Sequence, residues 1–260
     1  MIAANVSGSS IVTPANLSEQ HVQALLRGLS LVDREAIALA TGTMVQYYGD
    51  EVAAVRLAEE TAALQALPPG QRIEDLNGLN IGCGDRLIHT ALLGVDVHKG
   101  AWNMEGGSAQ AYVSHAHLRA WADDLPFRSG SVDFLVALHV LEHEPDPAAT
   151  VLHWLDLVKP GGGVGIVVPD WRYTWDARND RHPWSHRWNP TPRLLRTLYE
   201  RHWADVADLE HLDTYPYRLS FDVVLRKKGT FVPFDVHARA HRPTGHQLHE
   251  SNRFLGEEAA

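Results

Sequence analysis

The chain has 260 residues, 45% of them hydrophobic and 21% charged, with a formal net charge of -9. That length can bury the full core of one α/β domain with additions, while the negative charge opposes binding to a nucleic acid backbone or an anionic membrane. Cys83, alone of its type, excludes an internal disulfide framework and suits a reducing cytoplasm. Met1-Ile2-Ala3-Ala4-Asn5 has no basic start and no sustained apolar run, so neither a signal peptide nor a membrane span is predicted.

From Ser18, the residues Val22, Leu25, Leu26 and Leu29 recur at helical spacing, and an alanine-rich stretch from Asp33 to about Leu67 continues in kind. Pro68-Pro69-Gly70 stops it, so residues 1–72 read as an extension of two or three helices. The apolar run Leu79-Asn80-Ile81 then ends at Gly82-Cys83-Gly84-Asp85, where two glycines one residue apart allow a tight turn and close approach to a ligand. Cys83 in that loop reads as a small packing residue rather than a nucleophile. A second apolar run ends in Gly94-Val95-Asp96, an acid placed to accept hydrogen bonds from both hydroxyls of a ribose. Only about ten residues separate the loop from this run, so the usual first crossover helix must be very short.

Strands are predicted near 77–81, 93–97, 117–121, 132–137 and 163–168, followed by an antiparallel pair near 204–211 and 218–226. The alternation describes a parallel sheet with helices on both faces. Residues 170–192, dense in Trp, Arg and His, follow the fifth of these strands, at the carboxyl edge where open α/β sheets bind ligands. From Gly229 to Ala260, His237, His241, His246 and His249 stand among few apolar residues, which predicts a loosely packed tail.

Three further motifs complete the pattern: Leu125-Pro126-Phe127 followed by Ser131 to Ala137, then His139-Val140-Leu141-Glu142-His143, then Lys159-Pro160-Gly161-Gly162-Gly163 leading into Val164 to Asp170. With the glycine loop and Asp96, this ordered set resembles the class I S-adenosylmethionine-dependent methyltransferases over residues 75 to 228. The resemblance implies an α/β, Rossmann-like seven-stranded sheet, with a core at 73–228, an acceptor insert at 170–192 and the helical extension before it. Such an extension forms a lid or a homodimer contact in methyltransferases of this type; a layer covering one sheet face is the alternative. Cofactor contacts carried over by position are Asn80, Gly82, Gly84, Asp96, Trp121 and Ala122. Two depart from the pattern, since Asn80 and Trp121 stand where members often place acids. Asp123 could take over the adenine contact, or Trp121 could stack on the base.

Transfer from a sulfonium needs the acceptor atom in line behind the methyl carbon and, for a hydroxyl, a base. His139, Glu142 and His143 are spaced i, i+3 and i+4, which on a helix would gather them on one face. The spacing resembles the metal motif of the ubiquinone-pathway O-methyltransferases and the plant small-RNA methyltransferases, so a divalent ion, magnesium or another, is one reading and local packing the other. Without an ion, His139 or His143 is the leading base, with Asp170, Asp176, His182 and His186 behind them. Val168-Pro169-Asp170-Trp171-Arg172-Tyr173-Thr174-Trp175-Asp176 looks like the signature of a subgroup associated with glycan pathways, including sugar O-methylation in mycobacterial methylmannose polysaccharides. Trp171, Arg172, Tyr173, Asp176 and His182 are the expected sugar-binding residues, because indole faces stack on sugar rings while Asp and Arg bridge hydroxyl pairs. The rivals are a phenolic or polyketide-derived acceptor and a catalytically silent cofactor-binding module.

Overall fold

The computed structural model describes residues 19–102, 112–174, 176–178 and 186–233. Its first elements are helices α1 (Glu19–Arg27), α2 (Leu31–Thr41) and α3 (Asp50–Ala63). α2 starts at Ser30, whose hydroxyl accepts from the Asp33 N–H, and ends at Gly42, whose left-handed φ of 66° lets its N–H reach the Ala38 carbonyl. Buried Arg34 grips both oxygens of Glu51 and the Gln46 carbonyl, so charge ties α2 to the start of α3.

The strands that follow are β1 (Gly78–Ile81), β2 (Leu93–Asp96), β3 (Gly100–Trp102), β4 (Tyr112–Ser114), β5 (Leu118–Arg119), β6 (Val132–Leu138), β7 (Val158–Pro169), β8 (Ala207–Leu212) and β9 (Ser220–Lys227). Seven of them form one sheet in the order β5-β2-β1-β6-β7-β9-β8, parallel from β5 to β7 and antiparallel at β9 and β8. This is the seven-stranded class I arrangement that the motifs imply. β1 and β6 are buried along their whole length, as expected where helices cover both faces of parallel strands.

Helices α4 (Pro147–Leu157) and α5 (Pro192–Leu198) lie on one side, where Trp154 is fully buried and its indole N–H donates to the Ala122 carbonyl at 2.7 Å. α3 and the turn after it cover the other, placing Ala63 and Ala66 against Phe134, Val136, Val167 and Val224. Here the glycines of β7 matter. A Cβ at Gly163 would collide with the Ala66 carbonyl and one at Gly165 with the Ala63 carbonyl, so α3 reaches the sheet backbone to backbone.

Three details differ from the sequence expectation. β7 begins at Val158 rather than near 163, because Val158 already pairs with Val132 across a register shift. β3 and β4 form a small separate hairpin that alternation of residue types did not reveal. The first crossover, residues 82–92, contains no helix at all. β1 and β2 are four residues long, about 13 Å of strand, and an extended segment spans that return without helical turns. Of the expected tail, residues 234–260 lie outside the described residues, while Phe231 packs against the core beneath α3. Among the described residues no helix is long and apolar enough to cross a membrane.

The glycine-lined approach sets a test. Gly165→Ala should lower the urea-unfolding free energy by about 1–3 kcal/mol, because its methyl group meets backbone that cannot rotate away.

Candidate functional site

The glycine loop needs its glycines for two separate reasons. Gly82 and Gly84 have φ of 58° and 47°, and a Cβ at Gly82 would also run into the Val140 side chain. Asp96 fixes the loop from the neighbouring strand: its Oδ2 accepts from the Gly84 N–H at 2.8 Å and its Oδ1 from the His98 N–H at 2.9 Å. Asn80, buried in β1, accepts from the Ile88 N–H at 3.0 Å and so secures the helix-free crossover. Burial, reinforced by Asp96, pushes the Cys83 thiol up to about 12, which leaves it unreactive at neutral pH. Trp121 bridges to Asp124 in the turn after β5, and the Ala122 carbonyl beside it is taken by Trp154.

At the end of β6 the chain does not continue as a helix. His139 has a left-handed φ of 55°, and only Leu141–His143 forms a short 3-10 turn. The i, i+3, i+4 rule therefore fails here, since no helix face gathers His139 with Glu142 and His143. Its Nε2 lies 2.9 Å from Glu59 and its Nδ1 3.7 Å from Glu142. Burial would lower its pKa, but hydrogen bonding and charge from Glu142 and Glu59 carry it up to about 10. Its Nε2 is thereby engaged by the Glu59 carboxylate.

His186 approaches the same turn. The Arg187 N–H donates to the Glu142 carbonyl at 2.7 Å and the Trp188 indole to the Leu141 carbonyl at 3.0 Å, which pins the segment carrying His186 over the turn. His143 Nε2 and His186 Nε2 stand 3.8 and 4.0 Å from Glu142 Oε1, with the two rings edge to face at 5.2 Å. Glu142, His143 and His186 offer ligand atoms within 4.8 Å of one another. Glu142 is 1% exposed; burial alone would raise its pKa, yet His139, His143 and His186 hold it below the usual carboxylate range.

Glu59 and Arg86 escaped the sequence reading. Glu59 belongs to the buried stripe Val55, Glu59, Ala62, Ala63 of α3, and a charge on the apolar face of a helix is the signal that was there to find. Its carboxylate accepts from Arg86 on the glycine loop, His139 after β6 and Ser220 at the start of β9. Burial would raise its pKa; these donors, His139 foremost, lower it to about 2. Arg86 also reaches Glu60 at 2.9 Å and the Arg56 carbonyl at 2.6 Å.

After β7, Asp170 accepts from the Arg172 backbone N–H and pairs with the Arg172 guanidinium, and so caps the turn Trp171–Tyr173. Asp176 pairs with Arg178, which with help from Asn189 depresses its pKa, and Arg178 sits 5.5 Å from the Trp171 ring centre. Tyr173 accepts through its carbonyl from the Val45 N–H, so the chain after α2 borders this edge. His182, with Trp175 and Trp184, lies outside the described residues.

Comparison with known proteins agrees with the sheet. Residues 79–166 match the family of methyltransferase domains, and the sheet has the strand order typical of the class I methyltransferase fold. Relatives include an uncharacterized methyltransferase of Mycobacterium sp. (strain KMS), 31% identical over 129 residues, which are 48% of this chain and 51% of the relative. A ubiquinone biosynthesis O-methyltransferase of Leptothrix cholodnii is 28% identical over 106 residues, 36% of this chain and 44% of that protein. The chain thus spans about half the length of the curated relatives it matches. An S-adenosylmethionine-dependent methyltransferase from Mesorhizobium loti superposes with a TM-score of 0.45 at 16% identity, covering 65% of this chain and 98% of that one.

Glu59 makes stability depend on acid in a defined direction. Its folded pKa lies below the 4.5 of the free side chain, so its contribution is present above pH 4.5 and is lost as pH falls toward 2. The difference in Tm between the wild type and Glu59→Gln should be full at pH 6 and shrink between pH 4.5 and 3, read by circular dichroism.

Proposed function

We propose that this domain transfers the methyl group of S-adenosylmethionine to a hydroxyl of a sugar or oligosaccharide and releases S-adenosylhomocysteine. The observation that carries the reading is the gathering of Glu142, His143 and His186 just beyond Val140, the residue seated against Gly82. In-line transfer asks for a proton acceptor beside the donor pocket, and this cluster lies next to the loop that would receive the cofactor. Gly82 and Gly84 would take its methionine end, Asp96 its ribose, and Trp121 with Ala122 its adenine.

His143, with 38% of its side chain exposed, is the base in this reading where no ion is bound. Two relatives bear the name ubiquinone biosynthesis O-methyltransferase, which supports oxygen as the accepting atom. Half-buried Trp171 beside Arg178, and the Asp170–Arg172 pair, support an acceptor rich in hydroxyls. The residues also fit a divalent ion. Glu142 Oε2 and His143 Nδ1 are buried without a hydrogen-bond partner, a costly state for polar atoms that coordination would relieve. Glu142, His143 and His186 would hold the ion, which when bound would supply a site for the acceptor hydroxyl and lower its pKa. Two imidazoles and a carboxylate suit a transition metal better than magnesium.

S-adenosylhomocysteine release from sugars, oligosaccharides and phenols, measured with added divalent metal and with EDTA, tests the reading. We expect glycan turnover that EDTA abolishes, and a loss of about 10²–10⁴ in kcat for His143→Ala with binding of S-adenosylhomocysteine retained. Turnover that ignores EDTA would leave His143 as base and remove the ion, while turnover on phenols alone would overturn the sugar acceptor.

A further inference from the structure

The crossover after the glycine loop has no helix, yet the loop must be held in one shape to receive a ligand. In this chain three donors from three separate segments meet on one carboxylate that is 2% exposed. Arg86 comes from the crossover itself, His139 from the left-handed residue after β6, and Ser220 from the first position of β9, which pairs with Pro169 at the end of β7. The carboxylate belongs to α3, far from all three in sequence. Arg86 adds Glu60 and the Arg56 carbonyl, both also on α3, so three groups of that helix anchor its guanidinium. His139 in turn donates its backbone N–H to the Val167 carbonyl at 2.8 Å, which joins the β6 end to β7.

We infer that Glu59 is a positioning residue that, through Arg86, His139 and Ser220, locks the glycine loop, the end of β6 and the end of β7 into one frame, so that α3 does the work of the missing first crossover helix. The relation to methyl transfer rests on the reading that this frame receives the methyl donor. The frame itself does not. A carboxylate is required because each of the three partners donates, and an amide at the same place would set an N–H against a donor. A helix packed only for stability would need none of this, since an apolar side chain at residue 59 would complete the stripe formed by Val55, Ala62 and Ala63.

Hydrogen–deuterium exchange of the ligand-free chain, wild type against Glu59→Gln, reads the frame directly. It is done where circular dichroism shows both folded, with S-adenosylhomocysteine binding measured in parallel by calorimetry. We expect exchange to rise in residues 82–90 and 138–143 with α4 and β8 unchanged, and affinity for S-adenosylhomocysteine to fall roughly tenfold to hundredfold. Arg86→Lys keeps the charge and loses the fork; it should loosen 82–90 and leave 138–143 as it was, and it serves if Glu59→Gln does not fold. Unchanged exchange at 82–90 in either folded variant overturns the inference. Exchange that rises as expected in a protein whose wild type binds no S-adenosylhomocysteine supports the frame and overturns the methyl-donor reading instead.

Discussion

An ionised carboxylate withdrawn from water is stable only where donors replace its hydration, and the carboxyl edge of this sheet is organised around that requirement at Glu59. Arg86, His139 and Ser220 satisfy it, and each brings a different stretch of chain with it. The consequence reaches further than the ion pairs. His139 stands between two acids, 2.9 Å from Glu59 and 3.7 Å from Glu142, so it joins this network to the cluster of Glu142, His143 and His186. One network of charge thus runs from α3 through His139 to the turn after β6.

That arrangement depends on how near α3 can come. Gly163 and Gly165 remove the side chains that would otherwise keep the helix off β7, and the carbonyls of Ala66 and Ala63 take up the space. Without such an approach Glu59 could not lie within hydrogen-bond reach of a residue at the end of β6. The run Gly161-Gly162-Gly163 is easily read as an ordinary turn, yet all three lie within β7, where Gly163 meets the Ala66 carbonyl.

Much of the fold was legible because parallel strands buried on both faces write themselves as continuous apolar runs. β1, β2, β6 and β9 fall within a few residues of their expected places. The glycine loop and Asp96 were legible because left-handed backbone and a strand-terminal acid leave a local mark. What escaped is what no local mark carries. His139 was grouped with Glu142 and His143 by helical spacing, and a single positive φ ended the helix before it began. His186 joined them through backbone and indole hydrogen bonds to a turn more than forty residues away. Glu59 did leave a mark, a charge on the buried stripe of α3, but its three donors come from segments distant in sequence.

The seat of α3 is also a matter of timing during synthesis. The helix is complete at Ala63, but the strand that receives it ends at Pro169 and that strand's antiparallel neighbour at Lys227. At ribosomal rates of about 5–20 residues per second, the helix waits roughly 5–30 s for its surface. Through that interval its apolar stripe, with a carboxylate in the middle, lacks its seat on β7 and β9. The same buried charge that later orders the edge of the sheet keeps the waiting helix hydrated, and so discourages its premature association with other apolar segments.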